Sequence, residues 1–224
     1  MTDALESLTP IGRSDTLAQI VRTQLKDAVM SGRFAPGEKL TIRGIAGALG
    51  VSLTPAREAL YNLASEGVLE MRPNGSVYVP ELTVDRIVEL TKIRVALESL
   101  ASREAVARIS DAKIAEIAAL NDALIAHNES KNYSAPIAVN WQFHFTLYRA
   151  SNMDQLVRLI ESCWLMTGSY LNVIYPNFGE VRDGISNHVQ IVRALERRDA
   201  DRVALAITTD INLASDALIS AIQH

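Results

Sequence analysis

Residues 42–66 have the sequence IRGIAGALGVSLTPAREALYNLASE. They contain two runs of apolar residues at three- and four-residue spacing, which are separated by Gly50 and a short connection. Thr54 is a suitable N-cap for the second run, and Pro55 suits the first position of a helix. The stretch therefore predicts two short helices joined by a tight turn, which is a helix-turn-helix.

A β-hairpin is predicted directly after this stretch. Residues 68–72 and 76–79 are short extended runs, and the turn sequence Pro-Asn-Gly separates them. A helix-turn-helix followed by a hairpin is a winged helix, and Pro80 breaks the chain after it. We therefore expect a winged helix-turn-helix domain over residues 1–80 and a second domain over residues 81–224.

The second part of the chain has helical periodicity almost throughout. Six segments are predicted, starting at Thr83 or Asp85, Asp111, Ser134, Asn152 or Asp154, Glu180 and Ala200, with Pro176 ending the fourth. In the first of them the residues expected on one side are Ile87, Leu90, Ile93, Leu97 and Leu100. We expect a mainly α fold in which about six helices form an antiparallel bundle.

The composition excludes several classes of protein. With 224 residues, 48% of them apolar and 21% charged, the chain is too apolar to be disordered. No stretch approaches about 20 uninterrupted apolar residues, which argues against a membrane span, and the N-terminus lacks a secretory signal. Cys163 is the only cysteine, so an intrachain disulfide is excluded. We expect a cytoplasmic protein that does not bind a membrane.

The formal net charge of −4 is unevenly distributed. Residues 1–80 hold eight basic and eight acidic side chains, so the acidic excess lies after residue 80. Lys39, Arg43 and Arg57 follow one another with no Asp or Glu between them. A local basic patch of this kind is what contact with phosphate requires.

Two segments of the first part resemble the signature of the GntR family of bacterial regulators. They are residues 32–40, GRFAPGEKL, and residues 50–60, GVSLTPAREAL, and the pattern continues in EGVL at 66–69 and RPNG at 72–75. The second part is similar to the FCD domain, the helical effector-binding domain of the FadR-type branch. The residues that carry this similarity are Ile93-Arg94 with Leu97-Glu98, Phe143-His144 with Ser151-Asn152, and His188 with Ala194-Leu195.

The resemblance implies that double-stranded DNA is a partner. The third helix would enter the major groove, where Arg57 can form two hydrogen bonds to one guanine. The implied DNA-binding residues are Arg43, Ser52, Thr54, Arg57, Arg72 and Asn74, and the alternative is that these are ordinary solvated side chains. Many family members carry Arg where this chain has Leu53, so the preferred operator can differ. A single winged helix offers few contacts, so we expect a homodimer on a short inverted repeat.

The resemblance also implies a divalent metal site in the bundle. In the family, four matching positions are usually Asp, His, His and His, and here they are Asn140, His144, His188 and Asp210. Two imidazoles, a carboxylate and an amide oxygen can hold Zn²⁺ or Ni²⁺. Two interpretations stay open, which are a metal site and a pocket that has lost its metal and keeps hydrogen-bonded core histidines.

Arg94 is the other candidate for effector binding. A buried arginine needs an anion, and this is either the carboxylate of a small effector or Glu98, four residues further along the helix. The side chains that we expect to line the pocket with it are Tyr148, Trp164, Tyr170 and Arg182.

The leading interpretation is a ligand-responsive transcriptional regulator, a repressor that a small organic acid releases from DNA. One alternative is a constitutive DNA-binding regulator with a vestigial pocket. Another is a helical metal-dependent hydrolase built on His144, His188 and Asp210, which no nucleophile or acid–base motif supports. We therefore expect a protein that is not an enzyme.

Overall fold

The computed structural model describes residues 16–30, 33–129, 136–178 and 182–223, without the side chains at 128, 129, 136, 169, 171–178 and 182–185. These residues form nine helices and three short strands. In chain order they are α1 (Leu17–Met30), β1 (Lys39–Leu40), α2 (Ile42–Leu49), α3 (Leu53–Ser65), β2 (Glu70–Met71), β3 (Val77–Tyr78), α4 (Val84–Val106), α5 (Asp111–Glu129), α6 (Pro136–Arg149), α7 (Asp154–Phe178), α8 (Arg182–Glu196) and α9 (Ala200–Gln223).

The first part is a winged helix-turn-helix, as predicted. Helices α1, α2 and α3 pack on a three-stranded antiparallel sheet in the order β1-β3-β2, in which Val77 pairs with both Leu40 and Met71. The core is apolar, and Leu60 and Leu63 of α3 are fully buried in it. Burial of each such leucine stabilises the domain by about 1.5–3 kcal/mol.

Two details of this domain differ from the prediction. Helix α3 begins at Leu53 with Ser52 as its N-cap, so the prediction that Thr54 caps it was wrong. Pro55 is then the third residue of the helix, where its missing N–H costs nothing because the first turn has no intrahelical acceptors for N–H groups. Strand β1 was not predicted, since two residues are too few for a detectable alternation.

The second part is the predicted helical bundle, formed by α4 to α9 within the described residues. Helix α4 packs along α9, and α8 packs on both α5 and α9. Its core is built from large side chains that are fully buried, namely Phe143, Phe145, Leu147, Ile160, Ile191 and Ile207.

Three expectations for the bundle were wrong. Ile93 and Leu100 are exposed, because α4 follows a strict 3.6-residue period and these positions fall outside its buried face. Helix α7 continues through Pro176 to Phe178, where only the last turn has to accommodate the missing N–H and the proline ring. The side chain of Ser110, which precedes α5, accepts from the Lys113 N–H, so Ser110 and not Asp111 caps that helix.

Helix α7 also contacts the winged-helix domain. Leu165 of α7 is 2% exposed and belongs to the apolar core of that domain, while the neighbouring Trp164 belongs to the core of the bundle. Gly168 lies against α1 so closely that an added Cβ would be 3.1 Å from Met30 Cα. Helix α7 therefore contributes side chains to the cores of both domains.

Helix α9 is long and apolar enough to cross a membrane by length and composition, unlike any other described helix. It buries Val203, Ile207 and Ile211 within the bundle, against α4 and α8. A core helix passes the same test as a membrane span. We therefore interpret α9 as a helix of the bundle that packs through one buried face against α4 and α8.

Candidate DNA-binding surface and buried polar site

One face of the winged helix carries the side chains predicted to bind DNA. Ser52, Thr54 and Arg57 lie at the start of α3 and are exposed, and Arg43 is exposed on α2. A shallow concavity of about 400 Å³ separates the two helices, and its lining residues are Thr41, Ile42, Arg43, Leu53 and Arg57. Two guanidinium groups with no ion-pair partner among the described residues thus flank one concave surface, as phosphate and base contacts require.

The wing residues have structural partners of their own. The Arg72 guanidinium lies 3.8 Å from the centroid of the Tyr78 ring, and its Nε is 3.5 Å from Glu70 Oε1. Asn74 Oδ1 accepts a hydrogen bond from the Ser76 N–H at 3.0 Å, which is a typical Asx turn. Both side chains remain exposed, and their role in DNA binding stays a prediction.

Three of the four predicted metal ligands come together in the bundle core. His144 of α6 and His188 of α8 are 1% and 7% exposed. Their Nε2 atoms lie 3.3 Å from Oδ2 and Oδ1 of Asp210 on α9. One ligand atom of each residue lies within 4.8 Å of the others. Asn140 lies one turn before His144 on α6 and is half-buried, and its place in the cluster stays a prediction.

The charges around Asp210 determine its ionisation. Burial by itself would raise the pKa of Asp210, but the two histidines outweigh burial and hold this pKa far below its usual value. Burial also lowers the pKa of His144, because the imidazolium form is desolvated. The Asn187 side chain donates to the Ala206 carbonyl at 2.8 Å and lies 3.4 Å from Asp210 Oδ1.

A second buried group, Glu98 of α4, lies beside the histidines and is fully buried. Its carboxylate accepts from Arg94 Nε at 2.6 Å, from the Tyr148 hydroxyl at 2.5 Å and from Trp164 Nε1 at 3.0 Å. The Tyr148 hydroxyl also lies 3.2 Å from His144 Nδ1. Glu98 therefore links the arginine predicted to bind the effector to one of the predicted metal ligands.

Of the two anions proposed as partners of Arg94, Glu98 is the one that pairs with it when no effector is bound. Arg94 forms an ion pair with Glu98 and also lies over the Trp164 ring, 4.7 Å from its centroid. Glu98 raises the pKa of Arg94 against the opposing effect of burial. The pair is intrahelical, as the four-residue spacing allows.

Tyr170 lies elsewhere in the described structure. Its hydroxyl accepts a hydrogen bond from the Leu82 N–H at 2.8 Å, within a small apolar cluster that includes Ile87 and Leu218. Its role in effector binding stays a prediction, and the side chain of Arg182 lies outside the described ones.

Sequence reasoning missed two members of this site. Glu98 was considered only as a partner of Arg94, although it also binds Tyr148 and Trp164. Asn187 was not considered, and no signal in the sequence distinguishes it from a surface asparagine. Both residues act through contacts with other helices, and the periodicity of a single helix cannot reveal such contacts.

Comparison with known proteins agrees with this architecture. The family model of bacterial regulatory proteins of the gntR family matches residues 17–79, and that of the FCD domain matches residues 89–213. The chain is 33% identical over 183 residues to the HTH-type transcriptional regulator McbR of Escherichia coli, which covers 81% of this chain and 83% of that protein. It is 26% identical over 211 residues to the HTH-type transcriptional repressor RspR of the same organism, covering 89% of this chain and 87% of that protein.

A solved structure shows the same fold. The structure of E. coli McbR/YncC aligns with a TM-score of 0.84 at 30% identity, over 92% of this chain and 98% of that chain. The matching families and relatives are transcriptional regulators and not enzymes. The chain therefore belongs to the GntR family of bacterial DNA-binding transcriptional regulators, with an FCD domain following its winged helix.

Proposed function

We propose that this regulator is a cytoplasmic repressor that binds a short inverted repeat as a homodimer. A small carboxylate effector, held at a divalent metal in the bundle, releases it from DNA. The observation that carries this proposal is the convergence of His144, His188 and Asp210 in the bundle core. RspR, a relative that aligns over 87% of its length, is named as a repressor, which supports this sign of regulation.

The donor set suits a cation. His144 Nε2 is buried and has no hydrogen-bond partner within the described part of the chain, although it lies 3.3 Å from Asp210 Oδ2. An imidazole lone pair that faces a carboxylate is repelled unless a proton or a metal ion lies between them. Since burial lowers the pKa of His144, a proton is disfavoured there, and a divalent ion is the better occupant.

Zn²⁺ or Ni²⁺ fits this set of ligands. His144, His188 and Asp210 would hold it, with the amide oxygen of Asn140 as a further ligand. Three of these ligands leave one position of tetrahedral Zn²⁺ open, and all four leave positions open only on a six-coordinate ion. The bound ion would supply positive charge for the carboxylate of the effector.

The exposed surface of α4 supports a homodimer. Ile93 and Leu100, seven residues apart and therefore on one face of this helix, are 39% and 43% exposed. Large apolar side chains that share a helix surface favour association with a second chain. Two winged helices would then bind two half-sites of one operator.

Helix α7 provides a route from the effector site to the DNA-binding domain. Trp164 donates to Glu98 in the buried site, and the next residue, Leu165, lies in the core of the winged helix. An effector can release the operator only if it binds one arrangement of the two domains more tightly than the other. A small displacement of α7 would change the position of the winged helix.

The first test is elemental analysis of the untagged protein for Zn, Ni, Mn and Fe. We expect about one metal ion per chain. His144→Ala should lose the metal and the response to carboxylate effectors while the ligand-free protein keeps its operator affinity. His127→Ala, the same change on α5, is the control and should keep both. An apoprotein even with excess Zn²⁺ would contradict the metal site, and equal loss of operator binding would make His144 structural.

A second candidate is a constitutive regulator with a vestigial pocket. The cavity beside Arg94 has a volume of only about 30 Å³, and Glu98 already pairs with this arginine. A thermal-shift screen of carboxylates and hydroxy acids separates the two candidates. Stabilisation by a carboxylate supports the ligand-responsive regulator, and no stabilisation by any of them supports the constitutive one.

A further inference from the structure

Glu98 has the hydrogen-bonding pattern of a residue that organises its neighbours. It is a fully buried carboxylate that accepts from three donors on three helices, namely Arg94, Tyr148 and Trp164. A carboxylate paired with a guanidinium can only accept hydrogen bonds. Every donor that reaches Glu98 must therefore direct its proton toward it.

This requirement determines the direction of the next hydrogen bond. The Tyr148 hydroxyl has one proton, and it lies 2.5 Å from Glu98 Oε2, so that proton is directed to Glu98. The hydroxyl oxygen can then only accept from its second neighbour, His144 Nδ1, at 3.2 Å. Burial raises the pKa of Tyr148 well above its usual value, which keeps the hydroxyl protonated. His144 Nδ1 must accordingly carry a hydrogen.

We infer that Glu98 and Tyr148 are positioning residues that keep a hydrogen on His144 Nδ1, so that Nε2, which faces Asp210, is the nitrogen left to bind a metal ion. The functional meaning of this inference rests on the proposed metal site. A histidine can bind a metal ion only through an unprotonated nitrogen, so a hydrogen on Nδ1 leaves Nε2 as the ligand atom. The chain of contacts is Glu98 on α4, Tyr148 and His144 on α6, and Asp210 on α9.

The contribution of such a contact can be measured. A residue that orients a histidine ligand through its other nitrogen typically changes metal affinity by about 10–100-fold when it is removed. Tyr148→Phe removes only the hydroxyl oxygen and retains the ring that packs against His144 and Phe145. We therefore expect Tyr148→Phe to weaken Zn²⁺ binding about 10–100-fold without unfolding the protein.

The first experiment observes the tautomer directly in the metal-free protein. Histidine is labelled with ¹⁵N, and His144→Gln assigns the His144 signals. We expect Nδ1 of His144 to carry a hydrogen in the wild type, and this preference to be lost in Tyr148→Phe. A wild-type His144 whose only ring hydrogen is on Nε2, or an unchanged Nδ1 signal in Tyr148→Phe, would overturn the inference.

The second experiment measures Zn²⁺ affinity by competition with a chelator. Ser102→Ala is the matched control, because the buried Ser102 hydroxyl donates to the backbone carbonyl of Glu98 and not to its carboxylate. It should leave the tautomer and the affinity unchanged, whereas Glu98→Gln should disturb both. Equal weakening by Ser102→Ala and Tyr148→Phe would show a purely structural effect and refute the positioning role. If the wild type binds no Zn²⁺, the proposed metal site fails, and the tautomer still decides this inference.

Discussion

The two domains of this regulator differ in where their functional groups lie. Those of the winged helix are on its surface, and those of the FCD domain are buried in its core. In the winged helix, Arg43 and Arg57 are exposed and the interior contains apolar side chains. In the FCD domain, Glu98 and His144 lie inside, among the aromatic side chains of the bundle. A partner as large as DNA must be met at the surface, whereas a small ligand is held best where water is excluded.

The difference has a consequence for what mutations do. A surface arginine of the winged helix can be removed without affecting the core, so its loss changes binding and little else. A buried polar residue of the bundle contributes to folding as well, since its neighbours are left without partners. The four predictions that follow, ordered from the largest expected effect to the smallest, test this contrast.

The largest effect is expected from Leu63→Ala. Leu63 is fully buried in the core of the winged helix, and truncation of such a leucine costs about 2–5 kcal/mol in the free energy of unfolding. We expect operator binding to be lost and Zn²⁺ binding by the bundle to be retained, as measured by chelator competition and thermal unfolding. Leu53→Ala, which changes an exposed leucine, should cost less than about 0.5 kcal/mol. Simultaneous loss of Zn²⁺ would show that the two domains unfold as one unit.

Arg57→Ala tests the exposed surface. Loss of a bidentate contact to a base costs about 1–3 kcal/mol, so operator affinity should fall about 5–150-fold while thermal stability stays within about 0.5 kcal/mol. Arg72→Ala should have a smaller effect, because this guanidinium already packs on Tyr78. Fluorescence anisotropy with a labelled operator measures both variants at one salt concentration. A larger loss for Arg72→Ala than for Arg57→Ala would contradict the assignment of α3 as the recognition helix.

Gly168→Ala tests the helix that the two domains share. The new Cβ would lie 3.1 Å from Met30 Cα and 3.4 Å from the Val29 carbonyl oxygen, so α1 and α7 must move apart. Overpacking of this kind costs about 1–3 kcal/mol, and the better helix propensity of alanine offsets up to about 1 kcal/mol of it. Gly47→Ala on α2 meets no atom within 4 Å and should not destabilise the protein. Equal thermal stability of both variants would show that the domains are not in close contact.

The smallest effect is expected in the pH dependence of stability of the metal-free protein. Because burial lowers the pKa of His144 below 6.5, the unfolded chain binds a proton at this residue more readily than the folded one. The free energy of unfolding should therefore fall as the pH drops below about 6.5. His144→Gln should reduce this slope in urea titrations, whereas the exposed Gln142→Ala should preserve it. A slope unaltered by His144→Gln would mean that His144 is not buried as a neutral imidazole.

Much of the fold could be predicted because its signals are local. The helix-turn-helix depends on periodicity, on Gly50 and on Pro55, all within one short stretch. Its errors were equally local: the N-cap of α3 was assigned two residues too late, and a strand of two residues was missed. The apolar periodicity of α4 correctly predicted that Leu90 is buried, but it wrongly placed Ile93 and Leu100 on the same buried face. Amphipathic helices also carry apolar residues on their exposed surfaces.

The sequence by itself determined the winged helix, the helical second part and the exposed positions of Arg43 and Arg57, because helix and turn formation depend on residues a few positions apart. Only the tertiary structure decided that Arg94 pairs with Glu98 and that Asp210 meets two histidines. The polar residues of this buried site lie on four helices, α4, α6, α8 and α9. Their contacts depend on how those helices pack. Spacing along the chain determines which residues share a helix face, whereas packing determines what that face meets.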